Sequence, residues 1–318
     1  WEKMKKILLD CDPGMDDSAA IVMAAKSRDL ELLGVTTVNG NYPVNVTAVN
    51  ARKTLEMIHR TDIPVAQGMA RPVVRTAPKD PFTHGADGQA ENFLPDPVMP
   101  LSPLHAVEFI ISTVTAHPHE VFILSTGPMS NIAMALVKAP EIIPLIPGII
   151  AISGAFGLND YAFLNATGDT PQSEWNVYVD PEAARLVYSS GIPLTCLGLD
   201  VAAHFGVNFS DQAVARFRSS PRREARFLAT AVDFVVKRGF EAYCTIIDCM
   251  AVGYAIDPSL VKTIRGRAGV ETKDGLTLGM TVLDRRRHHV WTELPEITIG
   301  ENADYGRFLQ ILTELILE

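Results

Sequence analysis

Cysteine is scarce: Cys11, Cys196, Cys244 and Cys249 are the only four in 318 residues. None stands in a CxxC pair or at metal-ligand spacing with histidine. That excludes a disulfide framework and a structural zinc site, and the thiols read as reduced, as in a cytoplasmic protein. No apolar run reaches the roughly 18 residues of a membrane span. The longest, residues 144–156, is broken by Pro147, Gly148 and Gly154. The first residues lack the apolar core of a signal peptide. Trp1 is not an initiator, so residues 1–3 read as a cloning remnant and Met4 as the natural start. Cations are also in short supply, with 28 Lys and Arg against 37 Asp and Glu and a net charge of −9. Such a balance argues against binding a nucleic-acid backbone, which needs many cations on one surface. One short basic run, Arg222, Arg223 and Arg226, reads as a solvated helix face. Repeats, low-complexity tracts and an obvious linker are missing as well, so partners such as nucleic acid and membrane are not expected.

What is present is ordinary globular sequence, 47% apolar and 20% charged. A chain of this length buries most of its unfolded surface without staples. Apolar runs at 7–11, 30–38, 63–66, 121–125, 149–153 and 193–199 alternate with helical patterns at 16–27, 44–59, 104–116, 129–137 and 181–189. In the second helix Ala48, Ala51, Leu55 and Ile58 recur at three-to-four spacing. This alternation predicts an α/β fold: a single large domain over residues 4–318, with a mostly parallel central sheet and helices on both faces. Two long segments, about 68–103 and 154–178, lack periodicity and read as functional loops. After Asp248 the pattern changes to short strands and turns over 261–299 and a closing helix over 305–317.

The acids are concentrated. Asp10, Asp12, Asp16 and Asp17 fall within eight residues around Pro13-Gly14, at the carboxyl end of the first strand. Ligands bind at that edge of an open α/β sheet. Asp10 and Asp12 share a strand face; Asp16 and Asp17 begin a helix about 100° apart. Unpaired, these charges repel in a cleft, and a cation is the simplest compensation. An all-oxygen donor set suits Ca²⁺ or Mg²⁺ rather than Zn²⁺. Other polar groups fall at further strand ends: Asn41 after 36–40, Thr126, Ser130 and Asn131 after 121–125, and Asp248 interrupting an apolar stretch. Glu174 and Asn176 are two apart in an extended-looking segment, so both face one ligand while Trp175 faces away. Taken singly, Asn41 reads equally as a turn residue, Ser130 as a cap, Asp248 as an N-cap and Asp16 or Asp17 as helix-start acids. Together they make one polar cluster at one sheet edge.

At this point the sequence resembles the inosine–uridine-preferring nucleoside hydrolases. The matching stretches are Asp10-Cys11-Asp12-Pro13-Gly14-Met15-Asp16-Asp17, Thr36-Thr37-Val38-Asn39-Gly40-Asn41, Thr126-Gly127-Pro128-Met129-Ser130-Asn131, Glu174-Trp175-Asn176, Asp180-Pro181-Glu182-Ala183-Ala184, Leu199-Asp200-Val201 and Gly279-Met280-Thr281-Val282. They run end to end and in the family's order. The resemblance implies hydrolysis of a ribonucleoside, a small-molecule substrate, to free base and ribose, with one Ca²⁺ and a homodimeric or homotetrameric assembly. It implies metal ligation by Asp12, Asp17, Asp248 and the Thr126 carbonyl. Asp12 would also act as general base on a metal-held water, and Asp10 would be a supporting acid. Asp16, Asn41, Glu174 and Asn176 would hold the ribose hydroxyls.

Three departures stand out. Many pyrimidine- or broad-specificity members carry His just before the late aspartate; here it is Ile247, which cannot protonate a leaving base. His84 matches a family position near the base and is one replacement acid, although it reads equally as a surface-loop histidine; Tyr243 or solvent is another. The usual Asn upstream of Thr-Pro is Asp169, which leaves one ribose contact open. The base-proximal aromatics are not placed among Phe82, Phe156, Tyr161, Phe163, Phe240 and Tyr243. Two other readings compete: a dehalogenase-type phosphatase, from Asp10 and Asp12 flanking one residue after a strand, and a non-catalytic, metal-dependent ribose-binding protein on the same fold.

Overall fold

The computed structural model describes residues 4–79 and 83–318; Trp1–Lys3 and Phe82, invoked above, lie outside these. Nine strands join one sheet in the order β3-β2-β1-β4-β5-β6-β9-β7-β8. They are β1 (Lys5–Cys11), β2 (Leu30–Thr37), β3 (Val65–Gln67), β4 (Val121–Ser125), β5 (Ile149–Ala151), β6 (Leu194–Cys196), β7 (Val261–Val270), β8 (Thr281–Asp284) and β9 (Glu296–Ala303). The first six pair in parallel, and β9 continues them by pairing in parallel with β6. Only β7 runs antiparallel to its neighbours β8 and β9.

Both faces of the sheet are covered, which is why Ile7, Leu8 and Leu9 of β1 are apolar in succession. Ile7, Leu9 and Cys11 enter one core with the helices Met15–Lys26, Val44–Met57, Arg223–Lys237, Cys249–Ile256 and Tyr305–Leu317. Leu8, pointing the other way, enters a second core with Ala106–Ala116, Ser130–Lys138 and Pro181–Tyr188. The α/β fold with a mostly parallel sheet and helices on both faces is thus the one expected. Segment 154–178 is not featureless, however: it carries the short helices Tyr161–Leu164 and Trp175–Val179. The basic run sits as expected, with Arg222, Arg223 and Arg226 exposed at the start of Arg223–Lys237. All four cysteines are unpaired, and among the described residues no helix is long and apolar enough to cross a membrane.

The strand order fixes where a ligand can sit. From β1 the chain winds outward to β2 and β3, then returns to place β4 on the other side of β1. The connections leaving β1 and β4 therefore part in opposite directions, opening a crevice at the strands' carboxyl ends. Asp10 is in register with Thr36 of β2 and Ser125 of β4, so the acidic turn after β1 lies at this switch point.

Candidate active site

A cavity of about 450 Å³ opens there. Asp16, Asn41, His84, Thr126, Asp169, Glu174, Asn176 and Asp248 all line it. Asp10, Asp12 and Asp17 are wholly buried and are not among the lining residues.

The backbone turns draw the acids together. Asp10's carbonyl accepts Thr126 N–H (2.8 Å), and Cys11's carbonyl accepts Val38 N–H (3.0 Å). The loops after β4 and β2 are thereby tied to the end of β1. Asp12 is enclosed by these loops: its Oδ2 accepts Asn41 N–H at 2.6 Å. A Cβ on Gly40 would collide with that same oxygen, and one on Gly127 would lie 2.8 Å from Oδ1. Asp12 Oδ1 is buried with no hydrogen-bond partner among the described residues, as is Asp10 Oδ2. Asp10 Oδ1 accepts from Thr36 Oγ1 (2.6 Å) and Asn131 Nδ2 (2.8 Å). Asp17 accepts Gly14 N–H (3.2 Å) and Thr126 Oγ1 (2.7 Å), so its helix-start reading holds for only one of its two oxygens. Asp248 occupies the N-cap position of Cys249–Ile256 but makes no side-chain cap bond. Its carboxylate instead stands with those of Asp16 and Asp17, ligand oxygens all within 4.8 Å of one another. Ser130 does not cap a helix either; its hydroxyl donates to Asp180 at 2.6 Å.

Burial dominates the electrostatics. It pushes Asp10, Asp17 and Glu174 up to about 7. Asp12 is held well above the usual carboxylate range by burial and then by Asp17's charge, and Asp248 by burial and then by Asp16 and Asp17. Acids brought this close in a dry pocket resist ionising together. A divalent cation reverses that preference. The orphaned oxygens of Asp10 and Asp12 and the Asp16–Asp17–Asp248 grouping are the features such an ion fits, and the donors are all hard oxygens.

The opposite wall comes from segment 154–178. Glu174 caps Trp175–Val179, accepting the N–H groups of Asn176 (2.7 Å), Val177 (3.1 Å) and Gly154 (3.2 Å). Asn176 Nδ2 donates to the carbonyls of Thr126 (2.8 Å) and Ile152 (3.1 Å). Because residues 175–179 are helical rather than extended, Trp175 does not face away: it lines the cavity between Glu174 and Asn176. Sequence reasoning missed this residue by assigning a period of two where a helical turn begins.

His84 is not a surface-loop histidine. It is 5% exposed, its Nδ1 accepts Met15 N–H (3.2 Å) and stands 3.7 Å from Asp16 Oδ1. Gly14 makes room for it, since a Cβ there would lie 2.5 Å from the ring. With Nδ1 accepting, the neutral ring carries its proton on Nε2. Of the aromatics considered, Phe240 and Tyr243 line the cavity, next to Ile247. Phe156 is buried in a core, and Tyr161 packs against His204; neither these nor Phe163 is among the lining residues.

Comparison with known proteins agrees with this geometry. A family model described as inosine-uridine preferring nucleoside hydrolase matches residues 7–310. The pyrimidine-specific ribonucleoside hydrolase RihA of Escherichia coli O7:K1 is 35% identical over 314 residues, covering 97% of each chain. A solved structure of a purine-preferring ribonucleoside hydrolase from Gardnerella vaginalis superposes with a TM-score of 0.85 at 30% identity, covering 98% of both chains. A plant nucleoside hydrolase does so with a TM-score of 0.87 at 26% identity, covering 99% of both. These matches set aside the phosphatase and non-catalytic readings. Matched along its length in sequence and in fold, the chain belongs to the inosine-uridine preferring nucleoside hydrolase family and is a nucleoside N-ribohydrolase.

Proposed function

We propose that the enzyme cleaves the N-glycosidic bond of neutral ribonucleosides with Asp12 as general base, in a site that holds Ca²⁺. The observation that carries this reading is the enclosure of Asp12: one oxygen fixed by Asn41 N–H, the other buried and free to accept. Asp12, Asp17, Asp248 and the Thr126 carbonyl are the proposed ligands. That carbonyl already accepts from Asn176 but retains a second lone pair. Asp16 also stands in the tightest acid grouping, beside its proposed role toward ribose. A bound cation would offset the acids' repulsion and make water a stronger acid.

Asp12 takes the proton of the attacking water. As the bond to the base lengthens, positive charge grows on the sugar, and the surrounding carboxylates favour it more than the neutral ground state. Asp16, Asn41, Glu174 and Asn176 are the proposed ribose contacts. Asp10 supports the group from below through Thr36 and Asn131. At the base end Ile247 offers no proton, whereas His84 Nε2–H is a donor in the wall; the Tyr243 hydroxyl is a second donor there.

One relative is pyrimidine-specific by name and another purine-preferring, so the test is a panel of purine and pyrimidine nucleosides. Free ribose is the readout, with ion content by elemental analysis. Release of ribose together with about one Ca²⁺ per chain supports the reading. Ribose release by protein free of divalent cation would overturn the metal assignment, and no release from any nucleoside would overturn the whole. The assembly is proposed to be a homodimer or homotetramer, to be read by light scattering.

A further inference from the structure

The cavity is lined by four carboxylates, Asp16, Asp169, Glu174 and Asp248, and by no Lys or Arg among the described residues. Three of the four are tied into the acid cluster or to backbone donors, as described above. Asp169 differs. It is exposed and lines the cavity on the 154–178 wall. The Tyr178 ring stacks on Trp175, with centroids 6.0 Å apart and planes 27° from parallel. The adjoining Thr170 hydroxyl is bonded to the Leu278 carbonyl at 2.7 Å. Asp169 is therefore an exposed carboxylate at the cavity wall that no Lys or Arg lining residue neutralises. The cation beyond Tyr178, Arg75, is committed to Glu182 and Asp274. Arg238, over the rings of Phe234 and Phe240, is not among the lining residues.

We propose that Asp169 is a charge filter that admits neutral nucleosides and rejects their phosphate esters. An amide at this position would offer a ribose hydroxyl an acceptor and a donor without charge. A carboxylate offers an acceptor only and repels a phosphate dianion. At a distance of roughly 8 Å in a mostly aqueous mouth, that repulsion is worth on the order of tenfold in affinity. Because the group is exposed, added salt screens it.

The inference rests on the hydrolase reading, and the two fail separately: turnover of the neutral nucleoside by the unmodified enzyme tests the reading first. On that same active protein, inhibition by the 5′- and 3′-monophosphates of the nucleoside is compared with inhibition by the free base and ribose. Asp169→Asn is expected to tighten at least one monophosphate about tenfold relative to ribose, and Asp169→Glu to preserve the original ratio. In the unmodified enzyme the discrimination should shrink as salt rises from about 0.01 to 1 M. Monophosphate-to-ribose ratios unchanged in Asp169→Asn overturn the proposal. If that variant does not fold, a salt-independent ratio in the unmodified enzyme overturns it equally.

Discussion

Replacing Asp12 by Asn keeps an acceptor for Asn41 N–H but removes the basic oxygen. Asp12→Asn is therefore expected to fold normally and lose a factor on the order of 10²–10⁴ in kcat, the usual worth of a positioned base. Near-normal kcat with the ion bound would rule the role out. Asp17→Ala acts differently, since it strands the Thr126 hydroxyl and Gly14 N–H and removes a proposed ligand. Loss of the ion by elemental analysis, with activity falling in parallel, is the expected result. His84→Ala separates leaving-group chemistry from binding. Inosine or uridine hydrolysis should slow by roughly 10²-fold while p-nitrophenyl riboside, whose leaving group needs no proton, is spared. Equal losses on both substrates would make His84 a binding residue instead.

Among the elements, the loop after β2 has the least room for change. With Gly40 against Asp12, Gly40→Ala must displace either the loop or the carboxylate. It should cost activity far more than stability, read as kcat/KM against Tm. The short distances that matter here were legible in sequence only as a Pro-Gly turn and a run of acids. Strands 7–11, 30–38 and 121–125 and the helix at 305–317 were legible because burial on both faces, or a clear 3.6 period, writes itself into consecutive residues. The helix Trp175–Val179 was not, because five residues are too few to show a period, and Glu174 acts as its cap through its side chain. His84 was ambiguous for a related reason: its burial comes from Gly14 and Met15, almost seventy positions away, and no local pattern carries that contact. The same holds for the close contact of Asp16 and Asp17 with Asp248: their strand-end positions put them at one sheet edge, but no local pattern carries the distance between them.

For the molecule as a whole, the acid pocket couples stability to pH and to ions. Asp10, Asp17 and Glu174 have folded-state values raised to about 7 by burial. The unfolded chain therefore binds fewer protons than the folded one between about pH 4 and pH 7. Their contribution is fully present below the unfolded values and is lost as pH rises through the folded ones. Ion-free protein should thus melt at a lower temperature near pH 8 than near pH 5, and Ca²⁺ should restore more at the higher pH. A calcium increment of the same size at both pH values would disconnect these acids from ion binding. The order of the acids along the chain has a further bearing, on biosynthesis. Asp16 and Asp17 are made before all but the first strand of the sheet, yet Asp248 follows only after β6 and the helix Arg223–Lys237. The nascent protein would therefore complete the proposed cation cage late, and a chain halted before Thr245 should carry most of the parallel sheet without binding the ion.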